Sequence, residues 1–148
     1  MANAAAGPLT KEERTRLEAA FVATTYRIAA SAGPVDLRIG RPAPALDALL
    51  DGFGALSWAF ISASNPRASA LPEAVNVTRH QALHALLTEQ GYRVIEGFGI
   101  PDTQDWKTEP GWFVAAIGRE AAVALAGRFE QVALVFGERG KPPLLLWC

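Results

Sequence analysis

Trp58-Ala-Phe-Ile-Ser-Ala-Ser-Asn-Pro66 opens as an apolar, β-favouring run, turns polar at Ser62, Ser64 and Asn65, and stops at a proline. Proline has no N–H to give to a sheet ladder, so the stretch reads as a buried strand, Ala55–Ala63, that ends in a polar turn. A strand of this kind places functional groups at the rim of a sheet. The elements after it set the fold. Pro72–Gln90 reads as a helix with its proline in the first turn and Gly91 just past its end. Tyr92–Gly97 is a second strand, Phe98–Pro110 a polar loop, and Gly111–Ile117 a third strand. Gly118–Phe129 holds a short Ala-rich helix, and Gln131–Phe136 a fourth strand.

Strand–helix–strand–strand–helix–strand is the order of a ferredoxin-like βαββαβ core. Right-handed crossovers then put the first and third strands in the middle, with the second and fourth outside them. The expected fold class is therefore α+β: that core, an added N-terminal helix and hairpin, and a C-terminal edge strand. The helix begins at Thr10-Lys-Glu-Glu13, a capping box, and carries Leu17, Ala20, Phe21 and Thr24 on one modestly apolar face. The hairpin pairs Thr25–Ala30 with Val35–Ile39 across Ser31-Ala-Gly-Pro34. A short helix comes next at Ala45–Asp51, ended by Gly52. Leu144–Trp147 is the edge strand. Residues 1–9 read as a disordered tail and 10–148 as a single α+β domain.

Composition narrows the function classes. Half of the 148 residues are hydrophobic and a fifth charged, with a net charge of −1. That is ordinary globular chemistry, with no bulk attraction to nucleic acid or anionic lipid. Cys148 is the sole cysteine, which excludes an intrachain disulfide and cysteine-rich zinc motifs. The Ala-rich start lacks a basic segment and a long apolar core, and no apolar run approaches the roughly 20 residues of a membrane helix. A cytoplasmic protein is expected.

The strand order brings distant polar residues together. Strands one and two run one way and strands three and four the other. The end of strand one, the start of the long helix, the loop before strand three and the start of strand four thus share one sheet edge. That edge collects Ser62, Ser64, Asn65, Asn76, Arg79, Trp106, Glu109 and Gln131. At about 100° per residue, Asn76, Arg79 and His80 fall in the sheet-facing sector that Leu83 and Leu87 define. A buried amide or guanidinium needs a partner, and Glu109 is the expected partner of Arg79.

The segments Phe21-x4-Tyr26, Trp58–Pro66, Asn76-x2-Arg79-x3-Leu83, Trp106-x2-Glu109-x2-Trp112-Phe113-Val114 and Phe129-Glu130-Gln131-x-Ala133 resemble a small bacterial family catalogued only as a domain of unknown function. The resemblance covers nearly the whole chain, and its Phe-Ile-(Ser/Thr)-Ala-x-Asn-Pro stretch is fairly specific. It implies a stand-alone cytoplasmic protein and no particular activity. The family pattern has Thr where Ser62 stands, an aromatic at Ser64 and a serine at Gly111. A hydroxyl at position 111 is thus dispensable to any mechanism.

Other chemistries find less support. Neither Ser62 nor Ser64 sits in a Gly-x-Ser-x-Gly elbow, and His80 is the only histidine within reach. His80 and His84 have the spacing of two metal ligands, but a third would have to come from Asp102, Asp105 or Glu109, so no metal is expected. Gly52-Phe-Gly54 and Gly97-Phe-Gly99 are not phosphate loops. Trp58, Phe60, Trp112 and Phe113 occupy the strands on which RNA-recognition domains stack bases, but basic neighbours are missing. The expectation is a polar pocket for a small anionic or amide-bearing ligand, with no cofactor. Arg79 would hold negative charge, Asn65, Asn76 and Gln131 would orient the ligand, Glu109 would orient Arg79, and Trp106 would form a wall. The alternatives are a protein-interaction module or homodimer built on the C-terminal edge strand, and single-stranded nucleic-acid binding on the sheet face.

Overall fold

A computed structural model describes residues 8–148, so most of the expected N-terminal tail lies outside the described residues. Four helices and seven strands succeed one another in chain order: α1 (Lys11–Val22), β1 (Thr24–Ile28), β2 (Val35–Leu37), α2 (Pro44–Phe53), β3 (Ser57–Ile61), α3 (Glu73–Glu89), β4 (Val94–Pro101), β5 (Glu109–Ala115), α4 (Arg119–Arg128), β6 (Ala133–Glu138) and β7 (Leu144–Trp147). The strands form one sheet in the order β2-β1-β4-β5-β3-β6-β7, every neighbouring pair antiparallel. The hairpin extends the sheet beyond β4, and β7 extends it beyond β6.

Strand β3 lies at the centre of two cores because successive side chains point to opposite faces. Trp58 and Phe60 join Tyr26, Leu37 and Phe113 on one face, which Leu46 and Leu50 of α2 cover. Ala59 and Ile61 join Val114 and Leu134 on the other, beneath Leu83 and Leu87 of α3 and Ala122 and Leu125 of α4. Burial on both faces explains why Trp58–Ile61 is an unbroken apolar run rather than an alternating one. Each large side chain so buried contributes about 1.5–3 kcal/mol.

Several boundaries differ from the expected ones, each for a local reason. Strand β4 continues through Phe98–Pro101 into the expected loop, because β1 pairs with it from Gly97 to Pro101. Strand β5 starts at Glu109 because Glu109 and Pro110 pair with Gly99 and Phe98. Helix α2 runs past Gly52 and ends at Gly54, whose φ of 64° gives the left-handed cap that closes it. The capping box of α1 is present, with the Thr10 N–H donating to Glu13 Oε1 at 2.8 Å and the Glu13 N–H donating to Thr10 Oγ1 at 3.0 Å. Among the described residues no helix is long and apolar enough to cross a membrane.

Candidate functional site

The chain leaves β3 through Ser62, Ala63 and Ser64 into a strained corner. Asn65, Arg67 and Ala68 have φ of 51°, 54° and 60°. Asparagine visits this left-handed region routinely, whereas other L-residues lose about 1–2 kcal/mol there. Hydrogen bonds from two directions hold the corner. Asn65 Oδ1 accepts from the Leu71 N–H at 3.0 Å and from Asn76 Nδ2 at 2.7 Å, while the Asn65 N–H donates to Asn76 Oδ1 at 2.9 Å. The Arg67 N–H donates to the Glu130 carbonyl at 2.7 Å. With its backbone fixed, Asn65 turns its remaining amide group to Glu109, Nδ2 donating to Oε2 at 3.1 Å.

A cavity of about 360 Å³ opens beside this corner. Its body is apolar: Leu17, Ala20 and Phe21 of α1, Tyr26 of β1, Phe60 of β3 and Val135 of β6 line it. The Tyr26 and Phe60 rings meet at 5.3 Å between centroids. Ser62, Ser64, Asn65, Glu109 and Gln131, with Thr24 and Thr108, supply its polar side chains, and the exposed Trp106 stands at its edge with Asp105 and Lys107. Gln131 Nε2 donates to the Ser64 and Phe129 carbonyls at 3.0 and 3.2 Å, so the side-chain carbonyl is what it can offer a ligand. Ser64 is 2% exposed and its hydroxyl has no partner among the described residues. An unsatisfied buried hydroxyl costs about 1–3 kcal/mol.

Glu109 is the electrostatic centre of this wall. Burial pushes its carboxyl above the ordinary carboxylate range, against the hydrogen bonds from Ser62 and Asn65 that favour the charged form. Among the described residues no lysine, arginine or histidine forms an ion pair with it. A carboxyl raised in the folded state binds protons that the unfolded chain has released, so Glu109 destabilises the fold as pH rises through its titration. Tyr26 is likewise raised, chiefly by burial and further by the charge of Glu109. The phenol stays protonated at neutral pH.

Six of the eight expected residues (Ser62, Ser64, Asn65, Trp106, Glu109 and Gln131) therefore line one cavity. Asn76 stands one layer behind, holding Asn65. Arg79 is the correction. Its guanidinium does not meet Glu109: Nε donates to the Ala63 carbonyl at 2.7 Å, Nη2 to the Phe129 carbonyl at 2.6 Å, and Nη1 lies 3.7 Å from Glu130 Oε1. It clamps α3 to the end of β3 and to the α4–β6 turn. Phe129 accepts from both Arg79 and Gln131, so the arginine braces the wall from outside. Arg79→Met should lower unfolding free energy by about 2–3 kcal/mol in urea titrations, because two carbonyls lose charged donors. Small-molecule occupancy of the cavity should persist in the folded fraction.

The other motifs resolve into packing. His80 Nε2 lies 2.8 Å from Glu96 Oε2, and the rings of His80 and the exposed His84 each lie 4.4 Å from Trp112. Asp102 pairs with Arg38 at 2.7 Å instead, and among the described residues no group of three such ligands could hold a metal. Trp58, Phe60 and Phe113 are buried in the α2-side core, so that sheet face offers no stacking platform. On β7, Leu144 is exposed, while Trp147 lies under the Arg14 guanidinium at 4.4 Å. Sequence reasoning does not reach the apolar wall that α1 supplies, although the Leu17, Ala20, Phe21 spacing signals it. Nor does it reach Tyr26 as a cavity residue, which strand alternation alone turns inward.

A model of a family described as a protein of unknown function (DUF3293) matches residues 61–134, half of the chain. That span runs from the end of β3 to the start of β6 and contains Ser62, Ser64, Asn65, Trp106, Glu109 and Gln131 of the wall together with the bracing Asn76 and Arg79. No curated protein and no solved structure matches the chain.

Proposed function

Because the chain belongs to the DUF3293 family, whose description carries no activity, we propose from the geometry that it binds a small molecule with an apolar body and a hydrogen-bonding head. The body occupies the space between α1, Tyr26 and Phe60. The head meets Ser64, Glu109 and Gln131. The observation that carries this reading is the Ser64 hydroxyl, unpartnered among the described residues and buried in the same wall as a carboxyl that forms no ion pair among them. Glu109 is hydrogen-bonded by Asn65 and Ser62 but left without a counter-charge among the described residues, and the Ser64 hydroxyl is left without a bond, so a ligand that reaches both completes the wall. Of the expected ligand classes, the amide-bearing one fits this wall. The anionic one depended on Arg79, whose donors are committed elsewhere. The antiparallel order β4-β5-β3-β6 supports a ferredoxin-like βαββαβ core for the scaffold.

Saturation-transfer NMR with 3-phenylpropionamide tests the reading. The wild type should show transfer to both ring and amide ends of the probe. Ser64→Ala should weaken binding about three- to tenfold through one lost hydrogen bond, yet raise the melting temperature, because a buried unsatisfied group is removed. No transfer to the wild type, or equal affinity in Ser64→Ala, would refute it.

A further inference from the structure

We propose that the head of the ligand is an organic ammonium group, with the Glu109 carboxylate as its counter-ion and the Tyr26–Phe60 pair flanking the carbon adjacent to it. The proposal rests on the small-molecule reading above and assigns the charge of that molecule.

The polar wall is built to accept rather than to donate. One N–H of Asn65 Nδ2 is spent on Glu109, and both of Gln131 Nε2 are spent on the Ser64 and Phe129 carbonyls. The groups left with a lone pair for a ligand are the Glu109 carboxylate, the Gln131 carbonyl and the Ser64 hydroxyl, while the second Asn65 N–H is the one side-chain amide donor left. A primary ammonium has three N–H donors and no acceptor, matching that set. The nearest strong cation on α3, Arg79, is turned away to backbone carbonyls, and Arg38, just past β2, is held by Asp102. Glu109 thus has hydrogen bonds from Asn65 and Ser62 but no ion-pair partner among the described residues. A carboxylate so placed gains more from an incoming cation than an exposed one does. Aromatic faces beside the site favour a cation and an aryl or alkyl body alike. The burial that raises the Glu109 carboxyl is the same desolvation an ammonium partner would offset.

Three probes sharing one body test the assignment by isothermal titration calorimetry at mildly alkaline pH: 3-phenylpropylamine, 3-phenylpropionamide and 3-phenylpropionate. The wild type should bind the amine roughly tenfold or more tighter than the amide, and the carboxylate weakest. Glu109→Gln keeps an acceptor for Asn65, and should bring the amine down to the level of the amide while leaving amide affinity nearly unchanged. Equal binding of amine and amide by the wild type, or an amine preference that survives Glu109→Gln, overturns the ammonium assignment and leaves the cavity reading standing. Binding of none of the three overturns both. The wild type alone supplies a second readout. Amine affinity should fall as pH is lowered and Glu109 takes up a proton, while amide affinity holds. The other ionisable groups lining the cavity are Tyr26, Asp105 and Lys107. The pH response should persist in Asp105→Asn, and its loss there would transfer the counter-ion role to the loop and overturn the assignment to Glu109.

Discussion

Asn65→Ala is expected to lower unfolding free energy by about 3–5 kcal/mol and to abolish ligand binding by the cavity. Two separate costs combine. Alanine at a φ of 51° loses the tolerance that asparagine has for the left-handed region. The lost side chain also strands the Leu71 N–H, the Asn76 amide and one oxygen of Glu109, groups that were bonded at 3.0, 2.7 and 3.1 Å. Asn65→Gly separates the two, since glycine restores the backbone tolerance but none of the bonds. It should be the milder variant by about 1 kcal/mol in urea unfolding. If alanine and glycine are equally harmful, the strained corner contributes nothing. If both are near neutral, Asn65 is not the pin of the site.

Gly111→Ala should cost about 3 kcal/mol, large for a single methyl group, because the methyl has nowhere to go. A Cβ at Gly111 would lie 2.5 Å from Phe60 Cε2 and 2.6 Å from Cζ, with the Ile61 carbonyl at 3.1 Å. The residue opposite in the ladder is Gly97, where a Cβ would meet Phe60 Cε1 at 2.9 Å and the Arg27 carbonyl at 2.6 Å. The two glycines form the seat of the Phe60 ring. Overpacking there pushes the ring into the cavity it lines, so loss of stability and loss of cavity volume should go together. Phe60→Leu removes the edge that the methyl meets. The double variant should therefore be less destabilised than the two single costs added, by about 1–2 kcal/mol in a double-mutant cycle. Strict additivity would mean that the ring is not what the glycine accommodates.

Asn65 and Gly111 show how far the chain can be read without coordinates. The central strand announces itself in Trp58–Ile61, and the polar break after it places Ser62, Ser64 and Asn65 at a sheet rim. Counting strands and helices then carries Glu109 and Gln131 to the same rim, and they line the same cavity. Strand β7 is where Leu144–Trp147 places it, since nothing else in the chain competes for that stretch. Arg79 marks the boundary of such reasoning. Helical periodicity gives its face, but a guanidinium on a long, flexible stem reaches whichever acceptors lie open. Those are carbonyls freed by the turns at Ala63 and Phe129, which depend on backbone angles and not on residue type. The expected β4 is too short for a related reason, because Phe98–Pro101 pair with β1, a contact distant in sequence, and Phe98 and Gly99 pair with β5 as well. The cavity's apolar half escapes a reading of the sequence because α1 has a weak stripe. Leu17 is its one buried residue, and Ala20 and Phe21 are only partly buried, Phe21 packing against the core and both lining the cavity.

The most direct measurement is a ¹H–¹⁵N titration of the uniformly labelled protein with 3-phenylpropylamine, monitoring side-chain NH₂ and backbone resonances together. Binding at the wall should shift the Asn65 and Gln131 side-chain amides and the Ser64 backbone amide along one saturable curve, with the Asn76 amide responding more weakly from behind. Shifts that saturate elsewhere while those three resonances stay fixed would contradict the site.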